Sequence, residues 1–329
     1  MSSEVLLCTG GYDHTIRLWN VVQGSCTAVL QHNESHINAL CIAPDRSLLA
    51  AAGNPCVRLY DPHHSPLTAT GGSSSTSVTA STALHTLNIK SGSSGGEAEE
   101  ERVNVLDVAF HDPQVLMAAG EDGTVRLWDL RVGGKSVSST MLPGGNKLTC
   151  VYLQTEEMRI WYGDAKGRIA CWDMSANKLI YERDVSSGEV SAVTCHAGVI
   201  LCGDYAGRVY HLEDDMARCI HTHSGHVTYV GSSPDGRYFV STSADHTAQL
   251  YNKHPDLSLG CTSLEKGRSL EGHSKWVWDA TFSADSMYVL TASTDTTVRL
   301  WEVQSGEQVS VFTGQHTKGI TSVALNDLY

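Results

Sequence analysis

The sequence predicts an all-β fold, a seven-bladed β-propeller closed by its own two ends, and three observations carry that prediction. A short phrase recurs seven times: a strand, a tight acidic or glycine turn, and a second strand ending in an aromatic or apolar residue. It reads Gly11-Tyr12-Asp13-His14-Thr15-Ile16-Arg17-Leu18-Trp19 first and Ser293-Thr294-Asp295-Thr296-Thr297-Val298-Arg299-Leu300-Trp301 last, with weaker copies ending at Tyr60, Trp128, Trp172, Leu212 and Tyr251. The period is about 40 residues, the length of one four-stranded blade. β-Branched residues and Tyr fill the strand positions without helical periodicity. The strands run nearly continuously apolar, as stacked blades covered on both faces require.

Taken in order, Glu4 to Thr9 opens the chain in a strand that lacks the preceding strand of every later repeat. Ile320-Thr321-Ser322-Val323-Ala324-Leu325 matches that missing strand, as Ile37 to Ile42 does in blade two. Blade one is therefore expected from both termini, which leaves no inner edge unpaired and makes loss of the last dozen residues a ring-opening change. Blade two carries Asn54-Pro55 where other repeats have the turn Asp, so packing is expected to hold it. Residues 63 to 102 are an insertion within blade two: Gly71 to Glu101 is dominated by Ser, Thr and Gly and ends in Glu97-Ala98-Glu99-Glu100-Glu101. Such a segment buries too little apolar surface to offset its ordering entropy and is expected to be disordered. Ala83 to Ile89 within it fits the outer strand of blade two. The remaining repeats fill the chain, so residues 1 to 329 form a single domain.

A polar series is expected to brace the blades: a His before the first strand, a hydroxyl in the second, the turn Asp, and the third-strand Trp, bonded in line. His273, Ser293, Asp295 and Trp301 supply the full set. His226, Ser243 and Asp245 supply three, with Tyr251 in place of Trp. His316, Asp13 and Trp19 are similar, with Gly11 at the hydroxyl position.

Composition excludes several function classes. The formal net charge of -13 and the lack of a basic stripe argue against a nucleic-acid surface. Ten Cys lie scattered without a Cys-x-x-Cys pair, and no signal peptide precedes the first repeat, which suggests reduced cytosolic thiols. No apolar run is long enough to span a membrane, and Asn33-Glu34-Ser35 matches a glycosylation acceptor only formally. Gly92-Ser93-Ser94-Gly95-Gly96 resembles a nucleophile elbow but lies in low-complexity sequence. Gly134-Lys135-Ser136 resembles the end of a phosphate loop, yet Asp129 stands where the first Gly is needed. The 16 His residues show no pair at ligand spacing with a third partner. No catalytic site, metal site or cofactor is expected.

Propellers bind through the rim where turns lead into the innermost strands. Setting Ile42, Phe110, Leu153, Cys195, Ser232, Phe282 and Leu325 as equivalent, the two entry positions hold His36 and Asn38, Asn104 and Leu106, Lys147 and Thr149, Glu189 and Ser191, His226 and Thr228, Trp276 and Trp278, then Gly319 and Thr321. The Trp pair and the His36/Asn38 pair are separated only by the small Gly319 and Thr321. Residues 276 and 278 alternate and so point to one side, offering a rigid apolar patch beside the Asn38 amide. Trp is the residue most enriched at binding hot spots. The plainer alternative is that both indoles fill the wedge between adjacent blades.

Several stretches carry a family resemblance: Gly11 to Trp19, Gln31-His32 through Asn38-Ala39-Leu40, Pro44-Asp45-Arg46-Ser47 with Ala50-Ala51-Ala52-Gly53, Gly120-Glu121-Asp122 with Trp128-Asp129-Leu130-Arg131, and Trp276-Val277-Trp278 with Leu325-Asn326-Asp327. Together they resemble the G-protein-β-like WD-repeat subunits of TOR kinase complexes, the lethal-with-SEC-thirteen family. The match covers blades one to three, six and seven. Blades four and five are less alike, and the 63 to 102 insertion is outside the family pattern. The resemblance implies a non-catalytic subunit of TOR complex 1 and TOR complex 2, seated on the C-terminal lobe of the TOR kinase domain among other complex subunits. It implies stabilisation of the active-site region in growth control and actin organisation, and a cytoplasmic location that reaches endomembranes through the complexes. The family's kinase-facing residues align with His36, Asn38, Trp276 and Trp278. His36 departs from the Gln expected there, and its imidazole introduces a titratable group near neutral pH.

Other classes weigh less. A heterotrimeric G-protein β subunit needs an N-terminal coiled-coil helix, and no heptads precede the first turn. A ubiquitin-ligase substrate receptor usually adds a ligase-docking segment outside its ring, and none is visible. An enzyme is the least favoured class.

Overall fold

A computed structural model describes residues 5–63, 83–89, 102–132, 136–143, 147–213, 216–256 and 261–327. They form seven four-stranded antiparallel sheets arranged as a propeller, with a single 3-10 turn, Leu130–Val132, among the described residues. Most of the insertion, 64–82 and 90–101, lies outside the described residues, as do Gly92 to Gly96 and Gly134-Lys135. The short strand His85–Asn88 is the outer strand of blade two, pairing with Cys56–Tyr60.

Blade one joins the two ends of the chain. Ile320–Asn326 pairs antiparallel with Leu6–Gly11 along its full length, Leu7 opposite Leu325 and Thr9 opposite Val323. The closing strand is latched from both sides. Asp279 of blade seven accepts the Val323 N–H at 2.9 Å and the Ser322 hydroxyl at 3.0 Å. On the other side Leu40 N–H donates to Ser322 Oγ at 3.1 Å, and Arg46 Nε donates to Asn326 Oδ1 at 2.9 Å.

The core is divided among the seams. Each hydrophobic cluster draws on two neighbouring blades: Leu7 and Trp19 of blade one pack with Leu290, Ala292 and Phe312 of blade seven, and Ala50, Val57 and Leu59 of blade two pack with Val105, Phe110 and Trp128 of blade three. Trp19 meets Phe312 edge-on at 5.7 Å. Because each side chain is covered only by the next blade, an isolated sheet has no buried face and stability comes from the closed ring.

The polar series exists, in a register two residues from the one expected. In blade seven His273 Nδ1 bonds Asp295 Oδ2 at 2.9 Å, His273 Nε2 bonds Thr291 Oγ1 at 2.8 Å, and Trp301 Nε1 donates to Thr291 Oγ1 at 2.9 Å. The hydroxyl is thus Thr291. Ser293 instead sits at the turn, donating to the Lys275 carbonyl and accepting from Asp295 N–H. Geometry explains the offset: Trp301 lies opposite Val289, so its indole reaches the diagonal neighbour Thr291. In blade one Thr9 takes this role in place of Gly11, bonding His316 Nε2 at 2.8 Å and accepting from Trp19 Nε1 at 2.9 Å, while His316 Nδ1 meets Asp13 Oδ2 at 3.0 Å. In blade six the imidazole is His223 and the hydroxyl Ser241, displacing the expected His226 and Ser243. Ser243 bonds the Gly225 carbonyl and the Asp245 N–H at the turn.

Other blades vary the theme. Blade two has Ala50 and Asn54 at the hydroxyl and carboxylate positions, so Tyr60 Oη meets His32 Nδ1 directly at 3.1 Å. In blades three to five the turn Asp pairs with an Arg four residues on, Asp122 with Arg126, Asp164 with Arg168 and Asp204 with Arg208.

The axis is a channel of about 520 Å³ whose wall includes Asp107 and Asp279. Burial pushes Asp107 up to about 7, with the Asp279 carboxyl adding to the rise, and pushes Asp279 up to about 6.

Thr291→Val orphans both a buried indole N–H and an imidazole nitrogen and is expected to cost about 1–3 kcal/mol in urea unfolding, with Ser293→Ala costing clearly less; equal losses would contradict the register. For the channel carboxyls the folded value lies above the ordinary 3.8. Their stabilising contribution is therefore complete below that pH and is lost as pH rises through 6 and 7. Asp107→Asn is expected to raise Tm by several degrees at about pH 8 and to change it little at about pH 4. The same shift at both pH values would remove carboxyl burial as the cause.

Candidate docking surface

In six of the seven blades the innermost strand begins with a bulge, and the bulge residue is the second entry position; blade two pairs without one. The ladder skips Leu106, Thr149, Ser191, Thr228, Trp278 and Thr321 in blades three to seven and one. A bulge bends the strand and re-aims one side chain. Where that residue is Thr it bonds the neighbouring blade: Thr149 Oγ1 donates to the Val190 carbonyl at 2.6 Å, and Thr321 Oγ1 to the Ile37 carbonyl at 2.5 Å. Asn38 does the same in blade two, its Nδ2 donating to Val105 O and Asn104 Oδ1, both at 2.7 Å. Asn38 and Thr321 are therefore seam staples whose donors are already engaged.

The first entry position is tied to the turn of its own blade. Thr294 N–H donates to Trp276 O, Ala244 N–H to His226 O, Tyr205 N–H to Glu189 O, and Tyr12 N–H to Gly319 O, each at about 3 Å. Blades one, three, five, six and seven thus each bring three residues to one rim: two from the entry and one from the turn.

On one side of the rim those residues are aromatic and touch in sequence. Tyr205 stacks on His226 at 4.7 Å and 9°, and His226 meets Trp276 edge-on at 4.9 Å. Trp276 packs on Trp278 at 5.7 Å, Trp278 on Tyr12 at 6.3 Å, and Tyr12 on His36 at 5.4 Å. Six rings form one arc from blade five to blade two. Trp276 is 43% exposed and Tyr205 60%, whereas Trp278 is part-buried and donates its Nε1 to Thr294 Oγ1 at 2.8 Å. Trp276 is thus the open anchor and Trp278 its buttress.

Gly319 is shaped by this arc. A Cβ there would lie 2.8 Å from Thr294 Cα, and one on Gly11 would lie 2.6 Å from the Gly319 carbonyl oxygen, so both positions exclude side chains. The gap expected between the Trp pair and His36 is filled by the Tyr12 ring, which touches both.

Burial, followed by the neighbouring His14, lowers the His36 pKa, against a hydrogen bond with Asn38. Burial likewise lowers His226, opposed by Glu189. Both imidazoles are neutral at pH 7, so His36 serves there as an aromatic and hydrogen-bonding group.

Of the residues singled out in the sequence, the structure unites His36, Trp276 and Trp278 with Tyr12, Tyr205 and His226. Tyr12 and Tyr205 were missed as members of the surface, and His226, though aligned at an entry position, was assigned to the polar series. A third alignment column, the residue that begins each turn, would have shown Tyr12 and Tyr205 beside Glu121, Ala244 and Thr294. Among the described residues no group of three or more His, Cys, Asp or Glu is placed to hold a metal ion, and no helix is long and apolar enough to cross a membrane.

The family model for the WD domain, G-beta repeat, matches residues 2–20, 24–61, 97–129, 217–252 and 264–302. The target of rapamycin complex subunit wat1 of Schizosaccharomyces pombe is 34% identical over 338 residues, covering 98% of this chain and 96% of its own. The chain belongs to the LST8 family of WD-repeat target of rapamycin complex subunits. Its relatives include the LST8 subunits of Mus musculus, 30% identical over 99% of this chain and 96% of theirs, and of Saccharomyces cerevisiae, 31% identical over 99% of this chain and 100% of theirs. The repeat model leaves 130–216 unmatched, the stretch whose turn Asp residues pair with Arg in place of His.

The exposure difference between the two indoles is testable. Trp276→Phe is expected to remove most of the red-shifted, acrylamide-quenchable tryptophan emission, and Trp278→Phe to leave it; the reverse result would contradict the assignment of anchor and buttress.

Proposed function

We propose that this ring is a non-catalytic subunit of TOR complexes 1 and 2 that binds the C-terminal lobe of the TOR kinase domain through the aromatic arc. The observation that carries the reading is the unbroken ring contact from Tyr205 to His36, centred on the exposed Trp276, on a chain whose relatives are named as TOR complex subunits. Rigid aromatic side chains already packed against one another lose little entropy on binding, and a central Trp in such a patch is the kind of residue that dominates interface energy. Held on a closed ring, the arc limits the motion of whatever docks on it. The subunit thereby favours one arrangement of the kinase lobe, the one it binds better. Order near the kinase active site is its contribution to growth control and actin organisation, with the bulk of the protein in the cytoplasm and a share on endomembranes through the complexes.

Trp276→Ala with Trp278→Ala is expected to leave strand content unchanged by circular dichroism and to abolish co-purification of TOR kinase from cells. Normal kinase recovery with the folded double variant would remove the arc from the account.

A further inference from the structure

Resting on that docking reading, we propose that the blade-five end of the arc, Tyr205 with Glu189, is a subsite for an arginine side chain of the docked partner. Tyr205 is the most exposed ring of the arc at 60%. Its inner face lies parallel on His226, at 4.7 Å and 9°, and His226 is itself held edge-on by Trp276 at 4.9 Å. One face of the phenol is therefore fixed and the other is open.

Glu189 stands beside it because the Tyr205 N–H donates to the Glu189 carbonyl at 2.9 Å. Glu189 is exposed, and its charge reaches His226 and Lys147. Lys147 is paired with Glu121, so among the described residues the Glu189 carboxylate has no ion-pair or hydrogen-bond partner of its own. His226 is held neutral by burial and does not compensate it.

An open aromatic face next to an unpaired carboxylate selects for a planar cation. A guanidinium lies flat on a tyrosine ring while its fork donates two parallel hydrogen bonds to a carboxylate. An ammonium would satisfy the charge without stacking, and an apolar group would strip water from Glu189 without repaying it. The formal charge of -13 on the chain draws a cationic segment towards the ring at long range. The arc then has an apolar centre at Trp276 and a cation-selective end two blades away, which fixes the direction in which a partner segment lies across it.

The direct test places photo-cross-linking p-benzoylphenylalanine at position 205 in TOR complexes purified from cells and maps the linked peptide. A linked partner segment containing arginine is the expected result; a segment without arginine, or no link to any partner, overturns the proposal. In parallel, Glu189→Lys is expected to lower kinase recovery about tenfold at about 0.1 M salt, with a smaller loss for Glu189→Gln and a weakened salt dependence for both. If recovery is unchanged in Glu189→Lys and Tyr205→Ala while the Trp276/Trp278 double variant loses the kinase, the subsite is wrong and the docking reading stands. If the double variant keeps the kinase, both fall.

Discussion

The pairing of Ile320–Asn326 with Leu6–Gly11 is the contact on which the rest of this molecule depends. Every apolar cluster is shared by two blades, and blade one, whose sheet joins strands from opposite ends of the chain, contributes to two of them, so opening its terminal pairing exposes both. That pairing is latched on both sides. Asp279 from blade seven and Leu40 from blade two both bond Ser322, and Thr321 bonds the carbonyls of Gly10 and Ile37. The aromatic arc straddles it: Trp276 and Trp278 lie on one side, Tyr12 rides on the closing blade, and His36 lies beyond. Closure therefore brings into contact rings that are hundreds of residues apart in the chain.

Surface and scaffold are made by the same device. The bulge that opens six of the innermost strands re-aims one residue, and where that residue is Thr it staples the seam, as Asn38 does in blade two without a bulge. At Trp278 the same bulge holds an indole against its own turn through Thr294 and leaves Trp276 to face outwards. A surface carried on stapled strands is ordered in advance, which lowers the entropy that any binding to it would cost.

The architecture was legible because it repeats: the turn-and-aromatic phrase fixed seven blades, and the mismatch between the chain ends showed how they close. The polar series was legible in kind and misplaced in register. Thr291 and Ser293 lie on the same face of one strand, so alternation does not separate them, and only the diagonal reach of Trp301 does. His226 was mistaken for His223 because both precede the same strand, although the separation from the turn Asp is the same for His223 and Asp245 as for His273 and Asp295. The arc was half legible. His36, Trp276 and Trp278 stand in the strand-entry columns, whereas Tyr12 and Tyr205 come from turns that only the folded backbone brings alongside. Asn38 looked like a free amide because nothing in the chain announces a partner as distant as Val105.

Hydrogen–deuterium exchange on the ring alone and within purified TOR complexes tests the central claim most directly, since it reports on every turn of the rim at once. The account predicts added protection in the complex over the backbone around Tyr12, His36, Tyr205, His226 and Trp276 to Trp278, with the outer strands unchanged. Protection confined to the outer strands or to the opposite rim would contradict it.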